Sequence, residues 1–185
     1  ECLKKDLSEK HSSEPGTIII DELAVCDGDA RADVAVVNGL LTCYEIKSSV
    51  DSLARIHNQA AVYSRVFDCV SVVTADRHLY GLFKTVPEWW GLIVARESNG
   101  EIKLETHREG EQSPCQCVKS VASMLWKDEL LAVLEEHGID KGVRTKSRPQ
   151  MRDRLCESLP ASDVVAIVRQ RLKLRSNWRV DGIRM

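Results

Sequence analysis

Two apolar, β-branched runs flank the dipeptide Asn38-Gly39, reading RADVAVV before it and LLTCYEIK after it. Asn-Gly supplies the left-handed residues of a tight turn, so residues 31–37 and 40–47 are predicted to be antiparallel strands. The pairing is constrained because these strands also carry charge. Glu45 and Lys47 are two residues apart, so both side chains leave one strand face. On a face that buries apolar groups, an unpaired carboxylate or ammonium costs on the order of several kcal/mol. Register decides whether Asp33 joins them. A two-residue Asn38-Gly39 turn pairs Val37 with Leu40 and turns Asp33 away from Glu45. A three-residue loop of Val37, Asn38 and Gly39 pairs Val36 with Leu40 and puts Asp33 on the Glu45 and Lys47 face. Convergence of the three therefore requires an odd loop or a bulge.

The surrounding pattern places this hairpin in a larger sheet. Residues 3–11 fit a short helix, and residues 17–26 fit a strand before the Asp27-Gly28-Asp29 turn. Residues 52–67 carry Leu53, Ile56, Ala60, Tyr63 and Phe67 at helical spacing, with capping chemistry at Ser49-Val50-Asp51. Residues 69–74, CVSVVT, fit a buried strand reached by a helical crossover. Short strands are expected at 92–95 and 102–106, then helices at 118–137, 150–158 and 162–174. The predicted architecture is α/β: a mixed, partly antiparallel sheet flanked by helices over residues 1–117, with a basic α-helical extension over 118–185.

Charge supports that division. The chain totals 26 Lys and Arg against 28 Asp and Glu, but residues 1–118 hold 12 basic and 19 acidic residues. Residues 141–185 hold 12 basic and 4 acidic; a bias of this kind by itself favours a solvated helical surface, with contact to a polyanion as the sharper alternative. The seven cysteines are odd in number, and three lie in apolar strand-like runs, which points to reduced thiols and a cytoplasmic protein. Cys115-Gln-Cys117 lacks a second pair at zinc-ribbon spacing. No run of about 18 apolar residues suits a membrane span. The opening ECLKKDLSEKH has no apolar core of a signal peptide. The chain begins with Glu1 rather than Met, which leaves open that it is a piece of a longer protein.

If Asp33 and Glu45 converge, two carboxylates and the Ile46 carbonyl suit Mg²⁺, with Mn²⁺ as a substitute. Lys47 beside the ion would orient an attacking water. Arg31 and Ser48 could touch phosphate. Gln59 and Tyr63 stand one helical turn apart, with Arg55 a turn earlier; Gln59 could hold the water, while Tyr63 reads equally as core. Glu22 fits either the site or a surface position of a strand alternating Ile18, Ile20 and Glu22. His78 and the Trp89-Trp90 pair read as structural.

The segment RADVAVV…YEIKSSVDSLARIHNQAAVYSRVFDCVSVVTADRH resembles the PD-(D/E)XK nuclease superfamily, whose fold is restriction-endonuclease-like. It is similar to a branch of small, poorly characterised bacterial proteins, and Gln59-x-x-x-Tyr63 matches the QxxxY spacing of RecB-type nuclease domains. The match covers roughly residues 17–95, and Ala32 stands where that family has Pro. The resemblance implies a Mg²⁺-dependent nuclease that hydrolyses phosphodiester bonds in DNA through a metal-activated water. Asp33, Glu45, Lys47 and Gln59 would be catalytic; Asp33, Glu45, Ile46 and Glu22 would hold metal. Arg31, Ser48, Arg55, Tyr63, Lys146 and Arg148 would meet nucleic acid. The competing expectation is a catalytically silent nuclease-fold module that binds DNA or a protein partner, or forms a homodimer, in a repair, defence or toxin system.

Overall fold

A computed structural model describes residues 1–175. Among these the chain forms a six-stranded mixed sheet and seven α-helices. Helix α1 (Cys2–Lys10) precedes a three-strand antiparallel meander of β1 (Ile18–Val25), β2 (Ala30–Val37) and β3 (Leu41–Lys47). Helix α2 (Ile56–Val66) crosses over to β4 (Cys69–Thr74), and α3 (Asp76–Thr85) to β5 (Gly91–Ser98), both strands joining in parallel. A hairpin then adds β6 (Glu101–Arg108). Spatial order equals chain order, β1 to β6. Helices α4 (Val118–Ala122), α5 (Lys127–Glu136), α6 (Arg148–Ser158) and α7 (Ala161–Leu174) complete the described chain.

The hairpin loop has the expected odd parity but sits one residue later. Val37 pairs with Leu41 and Val34 with Tyr44. The loop is Asn38-Gly39-Leu40, closed by Leu40 N–H donating to Asn38 Oδ1 at 2.8 Å and Asn38 N–H donating to the Leu40 carbonyl at 3.0 Å. Paired register ends at Val34 and Tyr44, so β2 and β3 part there.

Most apolar side chains bury on one face of the sheet. Ile20, Ala35, Leu41 and Val72 meet Tyr63 and Phe67 of the α2 segment, and the same core continues into Leu134, Leu155 and Leu172 of the C-terminal helices. Trp90 is fully buried and stacks on Tyr63 with ring centroids 6.2 Å apart. The opposite face is covered by α1, whose Leu3 and Leu7 pack on Val34, Val36, Tyr44 and Val73. A buried ion pair ties α7 to the sheet. Asp68, 2% exposed, accepts from Arg169 at 2.7 Å, from Leu41 N–H at 2.6 Å and from Gln116 at 3.1 Å.

Three elements depart from the sequence reading. Helix α2 begins at Ile56 rather than 52, because Asp51 accepts from Ser48 N–H and Oγ and closes a turn instead of capping the helix. Helix α3 was not expected; it buries His78 and Leu82 and stops before Pro87. The single helix expected over 118–137 is two. Arg148 donates to the carbonyls of Ser123 and Leu125, while Glu129 accepts the Trp126 N–H at 2.7 Å, so the freed groups at the break are satisfied.

Candidate functional site

The parting of β2 and β3 opens a cavity of about 780 Å³. Asp33, Glu45, Ile46, Lys47 and Gln59 all line it, with Glu22, Arg31 and Arg55. Glu45 and Lys47 are 2% and 5% exposed and bond at 2.5 Å. Glu45 Oε1 also accepts from Gln59 Nε2 at 2.5 Å, and Oε2 lies 2.9 Å from the Tyr63 hydroxyl. That hydroxyl has one proton to share between Glu45 and the Arg31 carbonyl, 2.7 Å away. Burial holds the Tyr63 phenol far above its ordinary pKa, and the Glu45 charge adds to this.

Asp33 occupies the fork. Its Oδ2 accepts the Ile46 N–H at 2.6 Å, replacing the main-chain acceptor that the diverging strand no longer offers. Burial raises its pKa, the Ile46 bond opposes that, and the Glu45 charge raises it further. Gln59 Oε1 is buried with no hydrogen-bond partner among the described residues.

The remaining residues separate. Glu22 adopts φ 54°, which resets the alternation of β1 so that Ile20 and Leu23 both reach the core. Its carboxylate pairs with Arg31 at 2.9 Å and is half-exposed. No three His, Cys, Asp or Glu side chains among the described residues form a metal-holding group, so Glu22 does not complete a carboxylate triad. Tyr63 is fully buried and cannot touch a nucleic acid. Ser48 gives its hydroxyl to Asp51, and its carbonyl lies 3.1 Å from His78 Nε2. Arg148 is spent on Asp27 at 2.7 Å and on the carbonyls at the α4–α5 break. Lys146 lies in the exposed turn before α6, away from the cavity.

The basic bias of the C-terminal helices is mostly internal. Arg144 pairs with Asp140, Arg152 with Asp27, Arg169 with Asp68, Arg171 with Glu136 and Arg175 with Glu129. Among the described residues no helix is long and apolar enough to cross a membrane.

Residues 1–181 match the family model described as bacteriophage P4 protein cII. The chain belongs to the bacteriophage P4 protein cII family. Protein cII of Enterobacteria phage P4 is 30% identical over 121 residues, which are 65% of this chain and 46% of that protein. The chain thus spans about half the length of the curated relative it matches. A protein of unknown function from Silicibacter pomeroyi, SPO1766, aligns with 78% of this chain and 94% of its own at 16% identity and a TM-score of 0.43.

Membership of the protein cII family overturns the PD-(D/E)XK assignment. With it fall the metal-dependent deoxyribonuclease, phosphodiester hydrolysis and the silent nuclease-fold module, while the α/β architecture with its mixed sheet and helical C-terminal part stands. The physical reason lies in what the short motif reports. The spacing of Glu45 and Lys47 puts them on one strand face, the odd loop adds Asp33, and the structure brings all three to one cavity. A buried Glu-Lys pair whose carboxylate also accepts from Gln59 and Tyr63 satisfies that spacing without any reaction.

Proposed function

We propose that this protein cII family member is a binding protein whose cavity takes a divalent cation together with a phosphate-bearing small ligand, in the reducing environment of the cytoplasm. The observation that carries the reading is the mismatch of polar groups at the cavity floor. Lys47 has three N–H bonds, and among the described residues Glu45 is the acceptor it meets. Gln59 Oε1, an acceptor, has no donor. Asp33 keeps Oδ1 after Oδ2 is spent on Ile46. A cavity floor holding spare ammonium protons and spare oxygens suits a guest that presents both negative oxygens and a cation.

Asp33, Glu45 and Gln59 offer an all-oxygen donor set that suits Mg²⁺ or Mn²⁺, which prefer a few carboxylates plus water and ligand oxygens. A bound cation would neutralise phosphate charge beside the two carboxylates. Lys47 at the floor and Arg31 and Arg55 at the wall would meet the outer phosphate oxygens. The volume falls within the range of small-molecule sites, roughly 300–1,000 Å³. The seven free cysteines fit a reducing compartment.

The test is Mn²⁺ binding, followed by the electron paramagnetic resonance of the free ion, with and without inorganic pyrophosphate. Pyrophosphate should tighten Mn²⁺ binding, and Asp33→Asn should weaken it at least about tenfold, the scale of one lost charged ligand contact. Equal Mn²⁺ binding by the native chain and Asp33→Asn would overturn the reading.

A further inference from the structure

We infer that the phosphate-bearing ligand is a nucleotide whose base stacks on Trp126; this rests on the reading of the cavity above. A second cavity, about 300 Å³, adjoins the first, and Asp21 and Glu22 of β1 line both. Trp126, the residue that caps the start of α5, lines the second cavity and is 44% exposed. Its ring is held in place. The Arg175 guanidinium lies over it, 4.0 Å from the centroid, and is itself bound to Glu129 and to the Met124 carbonyl, the latter at 2.7 Å. The main-chain N–H of Trp126 donates to the same Glu129, which fixes the backbone that carries the ring. An exposed indole clamped by a guanidinium is an ordered π platform, and it loses little freedom when a planar ring lies on it.

The two cavities divide the work of holding one molecule. The first offers cation ligands and Lys47, which suit phosphates. The second offers an aromatic surface rimmed by Asp21, Glu22 and Asp27, which suit a ring with amino or N–H donors. Each of these carboxylates is charge-balanced, by Lys4, Arg31 and Arg148 respectively, so the rim accepts hydrogen bonds without strongly repelling an anion next door. A nucleoside diphosphate with an exocyclic amino group presents both halves in one short molecule.

Isothermal titration of the full chain with ADP and with pyrophosphate, each with Mg²⁺, tests this. ADP should bind more tightly than pyrophosphate. Trp126→Leu should weaken ADP roughly tenfold or more, the scale of one base–aromatic stack. Trp126→Phe should restore most of the loss, and pyrophosphate should be indifferent to both changes. Equal affinity for ADP and pyrophosphate in the native chain, or ADP binding unaltered in Trp126→Leu, overturns the inference and leaves the cavity reading standing. Pyrophosphate binding with Mg²⁺ that is absent from the native chain, or unchanged in Asp33→Asn, overturns the cavity reading itself.

Discussion

Removing the ammonium from the buried Glu45–Lys47 pair isolates what holds the cavity floor. Lys47→Met keeps most of the side-chain volume and deletes the charge. Glu45 then remains at 2% exposure with Gln59 and Tyr63 as its donors and no cation. Stranding one member of such a pair costs about 3–5 kcal/mol. For a chain of this size each kcal/mol moves Tm by roughly 2–4 °C, so the drop should be about 6–20 °C. Glu45→Gln should fall in the same range, because it strands Lys47 at 5% exposure. The double variant Glu45→Gln/Lys47→Met removes both charges, and replacing a whole buried pair by neutral groups is often close to neutral, so it should lie within about 2 kcal/mol of the native chain. The assay is urea unfolding at pH 7, followed by far-UV circular dichroism and tryptophan fluorescence, whose transitions must coincide for the free energies to be comparable. A loss under about 1 kcal/mol for Lys47→Met, or a double variant equal to the sum of the singles, would refute the claim that the pair is buried and coupled.

Other consequences are testable in the same way. Burial raises the Asp33 pKa in the folded chain, so the folded state holds its proton at pH values where the unfolded chain has lost it. Stability should therefore fall as pH rises from the ordinary carboxylate range through the raised value. Asp33→Asn, which keeps an acceptor for Ile46, should flatten that slope in chelator-containing buffer; an unchanged slope would contradict it. Arg169→Met should destabilise by about 3 kcal/mol, less than full burial implies because Arg169 is 21% exposed, and Asp68→Asn should recover part of the loss in the double variant. Gly91→Ala brings a methyl against Ser71 and the Gly110 main-chain N, 3.0 Å away, and should cost about 1–3 kcal/mol in urea unfolding.

The hairpin was legible because Asn-Gly and a period of two are local signals. Whether Asp33 shares the face of Glu45 and Lys47 hung on loop parity, which the sequence left between two registers and the structure resolves as odd. The register was off because Asn38 turns its own side chain onto Leu40, a choice that the pattern of apolar residues does not encode. The break at Ser123–Trp126 was hidden for a different reason. Its carbonyls are satisfied by Arg148, more than twenty residues away, so residues 118–137 alone look like one helix. The positive φ of Glu22 left no trace in Ile18, Ile20 and Glu22, whose spacing suits an unbroken strand. Charge misled most. Arginines counted as free for a polyanion in fact meet Asp27, Asp68, Glu129 and Glu136, partners scattered along the chain. Chemistry was over-read at the motif, since three residues sharing a face are as compatible with a satisfied ionic floor as with catalysis.

The tie between Asp68 and Arg169 bears on how the molecule assembles. Each strand lies beside its predecessor, so the sheet can grow in the order of synthesis from short-range pairings. Asp68 enters that sheet early, giving its carboxylate to Leu41 and its backbone N–H to the Leu41 carbonyl at 2.8 Å. Its counter-ion emerges 101 residues later. Until then the nascent layer keeps an anion in its interior and one apolar face bare, a half-finished body that chaperones and proteases can recognise. Docking of α7 brings Arg169 to Asp68 and covers the apolar face in one event, so the ion pair and the core close together.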